Sequence, residues 1–179
     1  MAKQQLSRES SAQLAELRRI LARLYAIGTA LLRTDAISDA LSPLAVELAT
    51  GRKDKDSLAD AVPGAVRTLQ QTPLLRAGNL LSVHFSLLYA AVEAWQRWHF
   101  ADARVDELLR DPYVGRLRDF RNAVFHVSVA TDARLQRWAG ESGPVQWARK
   151  VELALRAAVL DWQEHLAERI HQHPRVRQR

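Results

Sequence analysis

Leu14, Leu17, Leu21, Leu24 and Leu31 recur with the period of an α-helix, while Arg18, Arg19 and Arg33 lie off that stripe. The spacing predicts a first helix over about Ser7 to Leu32, with Gly28 weakening its last turn. Ser42-Pro43, Thr72-Pro73, Asp111-Pro112 and Gly143-Pro144 each put proline where a first helical residue belongs, and Ser42, Thr72 and Asp111 are good N-caps. A short helix is therefore expected from Pro43 to near Gly51, before the charged run Arg52-Lys53-Asp54-Lys55-Asp56, with a further short one around Ala65 to Gln71. From Pro73 to about Phe100 the chain is apolar around most of a helical circumference. Leu74, Leu81, Leu88, Val92 and Trp95 lie on one side and Leu80, Val83, Leu87 and Ala94 on another, leaving a thin polar line through Asn79, Ser86 and Glu93. Such a helix belongs in the middle of a bundle. Pro112 opens another helix, and Pro144 opens the last, with Val145, Ala148, Val151, Leu155, Ala158, Trp162 and Leu166 as its stripe. No segment alternates with a two-residue period between hairpin turns, so strands are not required. The expected fold is all-α, a single bundle of five to six helices forming one domain over residues 1–179.

Composition narrows the chemistry. Cysteine is absent, which excludes disulfides, thiolate zinc sites and cysteine nucleophiles and fits a reducing compartment. The N-terminus has no apolar signal-like core, and Arg76, Asn79, His84 and Glu93 interrupt the longest apolar stretch. A cytoplasmic protein with no membrane partner is expected. The net charge is +6, and of the 26 cations only Lys3, Lys53, Lys55 and Lys150 are lysines. Guanidinium groups fork onto phosphates, although the arginines are mostly spread among acids. The end is different: residues 168–179 carry Arg169, Arg175, Arg177 and Arg179 with His171 and His173, and a flexible basic tail is expected there.

The one constellation that looks reactive is Arg121-Asn122-Ala123-Val124-Phe125-His126. On a helix turning about 100° per residue, Leu117, Phe120, Val124 and Val127 share a packing face. Arg118, Asn122 and His126 follow each other at four-residue spacing as a polar ridge, with Arg121 beside Asn122. Arg121 and His126 stand about 140° apart on a straight helix, so they converge only if the helix ends or bends near His126, or if both reach into a shared groove. An imidazole that titrates near neutrality and a permanent cation are sufficient for RNA cleavage through the neighbouring 2′-oxygen, which needs only proton transfer and charge stabilisation.

Arginine, a polar residue, three more and then histidine, late in an all-helical chain of this size, resembles the signature of the HEPN superfamily, the higher eukaryotes and prokaryotes nucleotide-binding domains. The resemblance covers Arg121 to His126 only. It implies a HEPN-like bundle that works as a homodimer, with two motifs facing across a cleft. It further implies a metal-independent endoribonuclease, often toxin-like or linked to phage defence, with RNA as substrate and an antitoxin or nucleotidyltransferase-like partner. By position, His126 would be the general base or acid at the ribose 2′-hydroxyl, Arg121 would hold the scissile phosphate, and Asn122 would orient either. Arg118 would support the ridge, and Glu93 is the counterpart of the acid on an earlier helix that often accompanies the motif, although Arg97 stands four residues on. Non-catalytic members of the superfamily imply the alternative, a helical dimerisation or binding module for a nucleotide, nucleic acid or protein.

Other polar residues carry less. His84, on the apolar side of its helix, reads as a satisfied core histidine. His165, Glu168 and His171 have metal-ligand spacing, but a di-iron bundle needs a second Glu-x-x-His pair and two more glutamates, so no metal or other cofactor is expected. Trp95, Trp98, Trp138, Trp147 and Trp162 read as core or dimer-interface residues.

Overall fold

A computed structural model describes residues 2–50, 73–125, 138 and 141–172. They form five helices: α1 (Ala2–Thr50), α2 (Pro73–Arg97), α3 (Ala103–Leu108), α4 (Tyr113–Phe125) and α5 (Ser142–His171). No strand occurs among the described residues. The protein is an all-α bundle, and one hydrophobic cluster takes side chains from all five helices, among them Leu24, Val92, Val105, Leu117 and Leu155. None of the described helices is long and apolar enough to cross a membrane.

The first two predicted helices are one. α1 passes through Pro43 without interruption, although an interior proline removes a hydrogen bond and crowds the preceding turn, at a cost of about 3 kcal/mol. The packing stripe explains why. Leu31, Thr34, Ile37, Leu41 and Leu44 continue at helical spacing across the proline, with Leu31, Thr34 and Leu44 buried, while Pro43 and Asp39 are exposed. The ring therefore faces water, and the carbonyl of Asp39 that it leaves without a partner can be solvated. The linker at 52–56 and the short helix around 65–71 lie outside the described residues.

α2 packs on α1 and on α4. Its expected inner side is buried at Leu88, Val92 and Trp95, whereas Val83 on the other side is 47% exposed, so the helix is not covered all round. It ends at a left-handed residue, His99 (φ 55°). Phe100 N–H donates to the Trp95 carbonyl at 3.2 Å and His99 N–H to that of Gln96 at 3.1 Å, while the Trp95 and Phe100 rings meet at 5.3 Å. These bonds and that apolar contact are the Schellman arrangement, with histidine where glycine is usual. Asp102 then caps α3, its Oδ1 accepting from the backbone N–H of Arg104 (2.9 Å) and Val105 (3.1 Å).

α5 begins at Ser142, two residues before its proline. Glu141 stands at the N-cap without capping, because its carboxylate accepts instead from Arg116 Nη2 on α4 at 3.0 and 3.1 Å. At Gly143 an added Cβ would fall 2.6 Å from the Tyr113 hydroxyl, so glycine permits the close approach of the α4 and α5 N-termini. The tryptophans are core residues as expected: Trp95, Trp138 and Trp147 are buried, with Trp98 and Trp162 packed at the margin. α5 continues to His171, so the stretch expected as a tail starts inside it, and residues 173–179 lie outside the described residues.

Candidate functional site

The helix bearing the motif starts as the Asp111-Pro112 pair predicts: Asp111 Oδ1 accepts from the Tyr113 N–H at 2.9 Å. Once the helix is started there, packing sets its rotation. Leu117, Phe120 and Ala123 are buried and Val124 is partly buried against the core, which leaves Arg118 and Asp119 in solvent and Arg121 and Asn122 half-buried at the edge. The expected ridge is therefore present as far as Phe125. Val127 and His126 lie outside the described residues, and so does the bend or helix end that their geometry would need.

Arg121 occupies an aromatic slot. Its guanidinium carbon lies 5.9 Å from the centre of the Tyr89 ring on α2 and 5.4 Å from that of Phe125, one turn further along α4. Nη1 donates to Asn122 Oδ1 at 3.1 Å. Among the described residues no carboxylate forms an ion pair with Arg121, whereas Arg97, Arg104, Arg110, Arg116 and Arg156 all have one. Arg118 lies 3.6 Å from Asp119, both largely exposed, a contact worth little in water. The Tyr89 phenol reports the local field: burial and then the Glu93 charge push its pKa up, with a smaller push from Asp119, against the opposing pull of Arg118 and Arg121. Thus the charges of Glu93, Arg118 and Arg121 all act on one phenol. Glu93 nevertheless bonds Arg97 Nη2 at 3.0 Å, so its i,i+4 neighbour holds it.

Sequence reasoning missed a second polar cluster. Thr34 is fully buried, and its hydroxyl contacts Glu152 Oε1 and the Leu31 carbonyl (2.6 Å). Arg156 donates to Asp35 Oδ2 (2.5 Å), the Leu31 carbonyl (2.7 Å), Thr34 Oγ1 (3.0 Å) and Glu152 Oε1 (2.7 Å). Partial burial pulls the Arg156 pKa down, and its bonds and charge contacts with Glu152 and Asp35 more than restore it. His84 Nε2 lies 3.7 Å from Glu152 Oε2, and His84 Nδ1 is buried without a hydrogen-bond partner among the described residues. The expectation of a satisfied core histidine fails at that atom. Asp35, His84, Glu152 and Arg156 face a cleft of about 370 Å³, which Phe85 and Arg149 also line. The signal in the sequence was faint: Thr34 breaks an otherwise apolar stripe, and Glu152 and Arg156 form an i,i+4 pair flanking the core positions Val151 and Leu155. No group of three or more potential ligands for a metal ion occurs among the described residues.

Comparison of the chain with models of known protein families, with characterised proteins and with solved structures finds no match.

Proposed function

We propose that the protein is a metal-independent endoribonuclease of HEPN type, with Arg121, Asn122 and His126 as its reacting constellation and a homodimer as its working form. The observation that carries this reading is the state of Arg121: a half-buried guanidinium with no carboxylate partner among the described residues, braced by two rings and an amide. A cation held this way is preorganised for an anion, and the N–H groups not engaged by Asn122 can fork onto phosphate oxygens. In the proposed reaction the ribose 2′-hydroxyl attacks phosphorus as His126 takes its proton. Arg121 neutralises the charge growing on the non-bridging oxygens, and the 5′-oxygen leaves with a proton taken from water. The products are a 2′,3′-cyclic phosphate and a 5′-hydroxyl. Asn122 fixes the guanidinium through Oδ1, which leaves its NH₂ group to donate to phosphate.

The bond from Arg97 to Glu93 favours a second reading, in which the acid of the motif is structurally committed and the protein is a non-catalytic module that binds RNA or a protein partner such as an antitoxin or nucleotidyltransferase. One experiment separates the two. Incubated with RNA in EDTA, the protein cuts it and leaves cyclic phosphate ends under the first reading. Arg121→Ala and His126→Ala then reduce cleavage at least about a hundredfold while keeping the helical circular dichroism and melting temperature of the parent. RNA that is bound but never cut supports the module, and RNA that is neither bound nor cut overturns the nuclease and restricts the module to a protein partner.

A further inference from the structure

Phe125 is exposed in a way its helix does not require. Its side chain is 64% exposed and takes no part in the core cluster, whereas Leu117, Phe120 and Ala123 on the same helix are buried. A phenylalanine at that exposure leaves a broad apolar face in water. It also stands one turn beyond Arg121, its ring centre 5.4 Å from the guanidinium carbon, while the buried Tyr89 ring lies 5.9 Å from the same carbon. The slot thus offers a cation for a phosphate and, immediately beside it, an exposed aromatic face.

We infer that Phe125 is the stacking platform for the base flanking the phosphate held by Arg121, and that it makes the site selective for unpaired RNA. The inference rests on the endoribonuclease reading and adds a specificity-determining residue to it. Every base has a flat π-face that can stack on such a ring, so the contact tolerates any sequence. In an A-form duplex both faces of each base are already covered by neighbours and the deep groove excludes side chains, so only a loop, bulge or single strand can present a free face beside its own phosphate. Tyr89 does not compete for the base, because it is only 9% exposed. Its place is beneath the guanidinium.

The test uses the full chain and a short single-stranded RNA carrying the fluorescent base 2-aminopurine at each position in turn, beside a fully paired hairpin of the same composition. The wild type binds the single strand in preference to the hairpin and quenches the probe at one register. Phe125→Ala weakens single-strand binding about ten- to a hundredfold and abolishes the quenching. Phe125→Trp retains both. Phe125→Leu, which keeps an apolar side chain without a π-face, behaves like Phe125→Ala; if Leu restores binding, the ring serves packing and the inference falls. Wild type that binds and cuts unpaired RNA with Phe125→Ala unchanged overturns the stacking role and leaves the nuclease reading standing. Wild type that neither binds nor cuts either RNA overturns both.

Discussion

Arg156 joins α1 to α5, and replacing it should be costly. Replacing it with Met keeps much of the side-chain volume and removes four hydrogen bonds, those to Asp35, Leu31, Thr34 and Glu152. The consequences differ by acceptor. Asp35 is 51% exposed and returns to water cheaply. The Leu31 carbonyl keeps the Thr34 hydroxyl. Glu152 is 14% exposed and loses the arginine it pairs with among the described residues, retaining His84 Nε2 at 3.7 Å and a share of one hydroxyl hydrogen that Thr34 also directs at Leu31. Stranding a carboxylate largely withdrawn from water costs about 3–5 kcal/mol, a large part of a total stability of roughly 5–15 kcal/mol. Glu152→Leu should be milder, about 1 kcal/mol, because Arg156 is more exposed and keeps Asp35, Leu31 and Thr34. Adding Glu152→Leu to Arg156→Met should then restore stability, since it removes the stranded charge. Urea unfolding followed by far-UV circular dichroism is the assay: with a slope of about 2 kcal/mol per molar, Arg156→Met lowers the midpoint by about 1.5–2.5 M. A double variant less stable than Arg156→Met would refute the stranded-charge argument.

Two further substitutions test local structure. Gly28 lies inside α1, where an added Cβ would meet Val159 Cγ1 at 3.7 Å and Gln163 Nε2 at 4.0 Å, both ordinary contacts; Gly28→Ala should gain about 1 kcal/mol of helix propensity and raise the melting temperature by about 2–4 °C, and a fall would show that α1 and α5 cannot admit the methyl group. At Asp102, partial burial pushes the pKa up, but the bonds from the Arg104 side chain and from the backbone N–H groups of Val105 and Arg104, with the Arg104 charge, outweigh it and hold the carboxyl below its ordinary value. The stabilisation is therefore fully present above the pKa of the unfolded chain and lost as pH falls through the lower folded value. Asp102→Ala should cost about 1 kcal/mol at neutral pH, with a difference from wild type that narrows only in strong acid; a gap independent of pH would exclude a charged cap.

Much of the bundle was legible because helix boundaries and apolar stripes are local. Asp111-Pro112 announced α4, and Asp111 does accept the bond a cap should accept. The same reasoning failed at Ser42-Pro43, because a proline signals a helix start only if nothing else holds the chain helical, and the buried positions Thr34 and Leu44 on either side of it do so through contacts distant in sequence. The candidate site divides in the same way. Arg121 and Asn122 were singled out from residue type and spacing, and Glu93 from the family resemblance. Asp35, Thr34, His84, Glu152 and Arg156 were not, because Thr34 and Glu152 are 118 residues apart and neither α1 nor α5 alone says which face of the other it meets.

Arg121 and Arg156 look alike in sequence, each a guanidinium on the flank of a packed helix, and the fold makes them opposites. Arg156 is surrounded by acceptors, two carboxylates, a carbonyl and a hydroxyl, so its charge is already answered within the protein and its bonds join α1 to α5. Arg121 has rings on two sides and an amide on a third, none of which cancels its charge. Partial desolvation of a cation is costly unless something compensates it, and rings with an amide compensate less than carboxylates do. Among the described residues nothing supplies the remaining compensation, which leaves it open to an anion. A structural arginine supplied with carboxylates has little to offer a phosphate. One braced by Tyr89, Phe125 and Asn122 is held in place with its charge unspent, and that difference separates the site proposed for RNA from the cluster that holds the bundle together.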